Sequence, residues 1–506
     1  MERTEDAEIA SERARTTVIL SPWNQAGARI FFSPGHCYPL DNSLAREAID
    51  TIREYLDVLA LARPETAGRI SAVQDPTQKG MLTLTMDPVN DRIPLDVLYE
   101  EDTFGQTYEE LKAKGFPPSA FVHPRFGYDG GPHSVEDATR PTFRVLAIII
   151  KGGLILTYYF HHSVFDGVCM QKIYECLESI SRGKVPVATP SQDTSFIPYD
   201  PIKNDDELAR LDPTKFPELD LPHFLGLLPR EEALGPQVGD FKLEANGRQF
   251  RFRNDKLKEL QELVMAGDKT GGGGAGVRTP SSYMCLAALT WSHICKARSA
   301  AEVLKYRGTN PASAHLPAPP APRMIVPVNW SQLLAQQSEK PHEAPLYFGN
   351  TSYGTMVEIE SASQLLDACT DPSALASVVR KVEADVAAQR NWEAVAARTA
   401  LYARVGDVSR IGWRIDPLSA ADTVVNTWRF LGGADMRWQG VPGLMSERPD
   451  AVRRCAAKWS TGYACVMPGR VDADFRDLLV MLPTKEAMEA LCRDEEWMQW
   501  VDSVLE

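Results

Sequence analysis

The 506-residue chain contains no run of eighteen apolar residues, so no segment reads as a membrane-spanning helix. Its longest apolar stretch, 145–160, is broken by Lys151-Gly152-Gly153 and reads as two strands instead. Basic charge is in deficit: 54 Lys+Arg against 68 Asp+Glu leaves a net charge of −14, and no basic stripe offsets it. A nucleic-acid partner is therefore not expected, because such binding rests on neutralising phosphates with clustered cations. Cysteine is sparse and odd in number, nine in all, with no paired C-x-x-C spacing. Reduced thiols and no metal site are the expectation. The first residues, Met1-Glu2-Arg3-Thr4-Glu5-Asp6, are charged, and no apolar signal core precedes Thr17. That points to a cytoplasmic protein. Gly271-Gly272-Gly273-Gly274-Ala275-Gly276 lacks the Lys-Ser/Thr of a phosphate loop, and no G-x-S-x-G elbow is present to activate a serine.

What is present is ordinary globular composition, 44% hydrophobic and 24% charged, over a length too great for one core. Apolar residues at helical spacing predict helices over 42–62, 101–113, 168–180, 255–265, 283–298, 371–390, 392–402 and 483–497. Strands are expected at 17–20, 82–86, 143–150, 154–160 and 324–328, the last confined to an edge or bulge by Pro327. Near-continuous hydrophobicity in 143–150 and 154–160 predicts a hairpin buried on both faces. Residues 183–247 lose all periodicity, and 306–322 are rich in Pro and Ala; both read as loops. The chain thus divides into an N-terminal lobe (1–182), an extended connection (183–247) and a C-terminal lobe (248–506), with a cleft between the lobes as the natural site.

Between the second buried strand and the next helix lies His161-His162-Ser163-Val164-Phe165-Asp166-Gly167. Imidazole is the side chain suited to take and return a proton near neutral pH. A desolvated, unpaired His162 would stay neutral and act as a base. In the competing structural reading, which the residues alone favour, both histidines are packing groups and Asp166 ties a turn to the backbone. Cys169 and Cys176 on the following helix read as apolar packing.

The same seven residues resemble the H-x-x-x-D-G signature of the BAHD acyltransferases, CoA-dependent plant and fungal enzymes related in fold to chloramphenicol acetyltransferase and to peptide-synthetase condensation domains. Further segments resemble that family in order: Pro64-Glu65-Thr66-Ala67-Gly68-Arg69, Tyr347-Phe348-Gly349-Asn350, Asn426-Thr427-Trp428, and Asp435-Met436-Arg437-Trp438-Gln439. The closing segments Val480-Met481-Leu482 and Met488–Trp497 are similar to those of fungal members such as trichothecene 3-O-acetyltransferase. The resemblance runs from about residue 17 to 500. It implies an α/β (α+β), two-lobed chloramphenicol acetyltransferase-like fold, each lobe a mixed β-sheet with flanking helices. It also implies acyl transfer from acyl-CoA, by expectation acetyl-CoA, to a hydroxyl or amine of a secondary metabolite. No metal, nucleic acid or membrane is involved, and the protein is expected to be a monomer.

By family position His162 is the general base and Asp166 its structural neighbour. Asn426 and the indole of Trp428 stand near the developing oxyanion, while Ser281, Ser282, Lys296 and Arg298 are the candidate CoA contacts. The chain departs from the family pattern at four places. Asn24 stands where the family favours Asp, and Asn426 where it has a hydroxyl residue. Arg437 and Gln439 replace two glycines, and Asn329 replaces the arginine that pairs with the aspartate. Asn329, Arg323 and Arg437 are the candidates to meet Asp166. These departures also admit a second reading, a scaffold redirected to cyclise or dehydrate an intermediate with His162, or a non-catalytic small-molecule binder.

Overall fold

A computed structural model describes residues 15–74, 77–128, 139–184, 197, 199–221, 244–270, 278–301, 321–333, 347–416 and 419–506. The glycine-rich 271–276 stretch and most of the 183–247 and 306–322 loops lie outside the described residues. Three sheets carry the fold. A four-stranded sheet has the order β1 (Thr16–Ile19), β5 (Leu82–Met86), β4 (Arg69–Ala72), β7 (Arg140–Pro141). A six-stranded sheet runs β14 (Ala451–Arg454), β3 (Pro34–Pro39), β9 (Gly153–His161), β8 (Phe143–Ile150), β6 (Leu95–Tyr99), with β2 (Phe31–Phe32) also on β9. A seven-stranded sheet runs β12 (Ser352–Glu358), β11 (Arg323–Asn329), β13 (Thr423–Thr427), β15 (Tyr463–Val466), β16 (Phe475–Leu482), β10 (Asn246–Arg253), β17 (Ser503–Leu505). Parallel pairs occur in both large sheets, so each is mixed.

The predicted hairpin is β8–β9, turned at Gly152, whose φ of 80° is a conformation that favours glycine. Its two faces feed two cores. Leu154, Leu156, Tyr158 and Phe160 pack toward helices α1 (Ala45–Ala62) and α2 (Gly167–Ser181), while Ile155 and Tyr159 meet Tyr108, Phe121 and Phe126 on the other side. Coverage of both faces explains why the hairpin is almost wholly apolar, with Arg144, Thr157 and His161 its polar members. The second large sheet is backed by α3 (Asn254–Thr270), α4 (Ser282–Ala300), α5 (Pro372–Gln389) and α7 (Lys485–Cys492), with α6 (Trp392–Arg404) packed on the short helix Pro22–Gln25.

Three expectations are corrected. The helix foreseen over 101–113 starts only at Tyr108: Gly105 adopts φ 90°, and Thr107 closes a capping box with Glu110. β11 is an interior strand although it holds Pro327. It pairs with β13 only through Met324 and Ile325, so the proline, which has no N–H to give, stands beyond that ladder. The lobe boundary is not a single cut at 248 either. Residues 436–441 join the first lobe's core through Met436, Trp438 and Val441, and β14 completes the first lobe's sheet by pairing Arg454 with Pro34 and Val452 with His36. Arg437 and Gln439 themselves do not adopt positive φ; Gly432, Gly433, Gly440 and Gly443 around them do.

The second lobe turns on Asp422, just before β13. Arg323 grips its carboxylate with Nη2 at 2.6 Å and Nε at 3.1 Å, and Arg298 donates Nη1 to its carbonyl at 2.8 Å. Both Arg323 and Asp422 are buried. Removing one member leaves the other charge buried and unpaired. Arg323→Met is therefore expected to lower the unfolding free energy by about 3–5 kcal/mol in a urea titration, against less than about 1 kcal/mol for an exposed pair such as Arg53–Asp50.

Candidate active site

Strand β9 ends at His161, and helix α2 begins after Asp166, so the intervening turn projects its side chains where the two lobes meet. The two histidines separate cleanly. His161 is wholly buried, and its Nδ1 accepts from the Ser163 amide at 3.2 Å, as the structural reading requires. His162 is half-buried, with its backbone N–H donated to the Ile30 carbonyl. Its ring lies on Phe32 at 4.0 Å between centroids, and Phe32 in turn meets the Trp428 indole edge-on at 5.7 Å.

One residue outside the expected set decides what His162 can do. Asn350 places its Oδ1 3.2 Å from His162 Nδ1 and donates its Nδ2 to the His162 carbonyl at 2.6 Å. A carbonyl can only accept, so the amide must face it with nitrogen and turn oxygen toward the ring. Oxygen cannot donate, so Nδ1 carries the proton and Nε2 keeps the lone pair. Asn350 is itself fixed by Asn24, whose Oδ1 accepts the Asn350 amide at 2.7 Å. That bond to the Asn350 backbone N–H uses only the oxygen of Asn24, an acceptor that Asp would also offer. Gly27 completes the fit: a Cβ there would lie 2.5 Å from the His162 carbonyl and 2.7 Å from Asn350 Nδ2. The visible signal for Asn350 was its place in Tyr347-Phe348-Gly349-Asn350; nothing local indicated which way its amide would point.

Asp166 is buried and caps α2, its Oδ1 accepting from the amides of Val168 at 3.0 Å and Cys169 at 3.1 Å. Its Oδ2 accepts from the Thr351 amide at 2.8 Å, Thr351 Oγ1 at 2.6 Å, Ser352 Oγ at 3.1 Å and Asn329 Nδ2 at 3.2 Å. Of the three candidates to meet it, Asn329 does so. Arg323 is spent on Asp422, and Arg437 lies 3.7 Å from Glu447. Both carboxylate oxygens are thus occupied by donors of the turn and of the facing strand segment. Gly167 leaves room beside Asp166 for Leu431, whose terminal methyl would have to move from a Cβ only 2.2 Å away.

Burial pushes the His162 imidazole below its ordinary value, and the Asp166 charge opposes the shift without reversing it. Burial likewise pushes the Cys169 thiol well up, and its Sγ donates to the Gly349 carbonyl at 3.3 Å, which suits packing and not attack. Asn426, at the end of β13, donates Nδ2 to the Tyr463 hydroxyl at 2.9 Å and accepts from the Thr427 amide at 2.7 Å. The structure thus brings His162 and Trp428 together through Phe32, with Asn426 two residues before Trp428.

The expected CoA contacts divide. Ser281 is exposed and caps α4 by accepting from the Met284 amide; Ser282 beside it is partly exposed. Lys296 is held between Asp494 at 2.7 Å and Glu496 at 2.9 Å. Arg298 is wholly buried on the Asp422 carbonyl. The family resemblance offered both as CoA contacts, with complementing the helix C-terminus as the alternative; in the structure both bond to groups of the second lobe. Among the described residues no group of three or more His, Cys, Asp or Glu is placed to hold a metal ion, and no helix is long and apolar enough to cross a membrane.

Three comparisons place the chain among known proteins. Residues 31–180 match the family described as the trichothecene 3-O-acetyltransferase-like N-terminal domain. Beyond that segment the chain is similar to fungal O-acetyltransferases over most of its length. It is 23% identical over 434 residues to eremophilane O-acetyltransferase ORF8 of Penicillium roqueforti, covering 79% of this chain and 82% of that one. It is 22% identical over 476 residues to O-acetyltransferase SAT5 of Stachybotrys chartarum, covering 90% and 88%. In structure it superposes on TRI101 of Fusarium graminearum, solved with coenzyme A and T-2 mycotoxin. The TM-score is 0.73 at 17% identity, covering 97% of this chain and all of that one. Vinorine synthase shares the fold more distantly, with a TM-score of 0.55.

The Asn350 geometry makes a direct spectroscopic prediction. At pH 7 the 15N spectrum of His162 should show neutral imidazole protonated at Nδ1, with a titration midpoint below the ordinary 6.5. Asn350→Ala should populate the Nε2–H tautomer. A wild-type midpoint above 6.5, or Nε2–H as the main form, contradicts the assignment.

Proposed function

We propose that the protein transfers an acyl group from a CoA thioester to a hydroxyl or amine of a small molecule, with His162 Nε2 as general base. The observation that carries this reading is the Asn350 clamp: it leaves one ring nitrogen with a lone pair, on an imidazole that burial keeps neutral at physiological pH. Nε2 takes the proton of the acceptor as its oxygen or nitrogen attacks the thioester carbonyl. The imidazolium then returns that proton to the departing CoA thiolate. Charge on the attacked oxygen needs a donor, and one well-placed hydrogen bond there is worth about 3–4 kcal/mol. Asn426 retains one amide hydrogen beyond that given to Tyr463, and with Trp428 it is the candidate for this role. Ser281 and Ser282 remain candidates to meet the donor, since both keep exposed surface.

Acetyl is the favoured acyl group and a hydroxyl the favoured acceptor, because the relatives above carry those reactions in their names. Protonation of a base whose midpoint lies low removes activity as the pH falls, so the rate should hold through pH 7 and decline only on the acid side of 6.5.

The test is acceptor-dependent release of free thiol from acetyl-CoA across a panel of alcohols and amines. Wild type should release CoA, and His162→Ala should be slower by roughly 10²–10⁴-fold while still binding CoA. Absence of both CoA binding and acceptor-dependent release in the folded wild type would overturn the reading.

A further inference from the structure

With Lys296 and Arg298 committed elsewhere, the junction of the lobes holds a different cation. Arg454 ends β14, the strand that the second half of the chain returns to the first lobe, and pairs there with Pro34, two residues beyond the Phe32 that carries the His162 ring. The backbone on both sides is fixed, since Ser33 donates its hydroxyl to the Cys455 carbonyl and the Cys455 amide returns to the Ser33 carbonyl. The guanidinium lies within electrostatic reach of Tyr463, the residue that takes the Asn426 amide. Arg454 thus sits on the strand paired beside the Phe32 segment and within electrostatic reach of the Asn426–Tyr463 pair.

Its bonding is less complete than that of Arg398, Arg323 or its neighbour Arg453. Arg398 grips Glu218 with two bonds of 2.8 Å, Arg323 grips Asp422, and Arg453, its immediate neighbour, is tied to the carbonyls of Phe116 and Gly115. Arg454 gives Nη2 to Ser460 Oγ at 2.8 Å, and its Nη1 is buried without any acceptor. No carboxylate among the described residues forms an ion pair with it. Burial depresses its affinity for a proton, with only tyrosine and cysteine side chains opposing. Arg454 as a whole is half-buried, but a guanidinium nitrogen buried without an acceptor is costly, and a bound oxyanion would relieve that cost.

We propose that Arg454 is an anion-reading residue of the inter-lobe cleft, whose Nη1 edge takes an oxyanion of one of the two substrates. The shared chemistry is a phosphate or carboxylate oxygen, from the CoA donor or from an acidic acceptor. Guanidinium suits either, through its planar fork of donors. This rests on the acyl-transfer reading above, because that reading supplies an anionic donor to a protein of net charge −14.

The test is calorimetric titration of wild type, Arg454→Lys and Arg454→Met with two probes, CoA and cyclohexanecarboxylate, using cyclohexylmethanol as the neutral control. Thermal melts establish that each variant is folded. Arg454→Met should weaken one anionic probe by about 30-fold or more, the loss expected when one partner of a buried charged contact is truncated. Arg454→Lys should keep part of the affinity, and the neutral alcohol should be unaffected. Loss for CoA alone assigns the donor phosphate; loss for the carboxylate alone assigns the acceptor. Unchanged binding of both anions by folded Arg454→Met overturns the proposal, and so does a wild type that binds neither. If wild type binds cyclohexanecarboxylate through Arg454 but not CoA, the anion site stands and the acyl-CoA reading falls. Should Arg454→Met not fold, Arg454→Gln, which keeps one N–H edge without the charge, takes its place with the same criterion.

Discussion

The carboxylate of Asp166 is the joint on which the arrangement depends. It lies between the strand that ends in His161 and helix α2, and its two oxygens collect hydrogen bonds from both lobes: two from the first turn of α2, and four from Asn329, Thr351 and Ser352. A buried carboxylate of this kind can be satisfied by donors alone, without a cation, provided each lone pair is used. The consequence is geometric. Fixing Thr351 fixes its neighbour Asn350, which orients the His162 ring through one hydrogen bond and its backbone through another. The acid of the H-x-x-x-D motif thus acts on its histidine through the second lobe and not through direct contact.

A second constraint is the way the chain closes the cleft. The 434–457 region leaves the second lobe, packs Trp438 against Tyr55, and adds β14 to the first lobe's sheet. The second half of the chain is therefore tied to the first lobe by backbone pairing as well as by side-chain packing. That suits a reaction in which one imidazole must pass a proton between two substrates without a covalent intermediate.

Much of this was legible in the sequence where the signal is local. The β8–β9 hairpin followed from two apolar runs around Gly152-Gly153, and the position of His162 from the break between strand and helix. Asn329 as a partner of Asp166 was one of three options, and only the fold could choose, because the choice depends on where Arg323 and Arg437 find their own carboxylates. The return of β14 had no local mark: four residues, Ala451–Arg454, pair with a strand more than 400 positions earlier. The partners of Lys296 and Arg298 were hidden for a related reason. A basic pair at a helix end looks exposed until Asp494, Glu496 and the Asp422 carbonyl are brought against it.

The most direct test of the account is a paired measurement of unfolding free energy and acyl-transfer rate in Asp166→Asn and His162→Ala. Either orientation of an asparagine at 166 turns its NH2 group toward N–H donors, so Asp166→Asn should lose about 2 kcal/mol or more of stability and lose rate with it. His162→Ala should lose the rate while staying within about 1 kcal/mol of wild type. An Asp166→Asn protein as stable as wild type yet as slow as His162→Ala would contradict the account, for it would put Asp166 in the chemistry and not in the joint between the lobes.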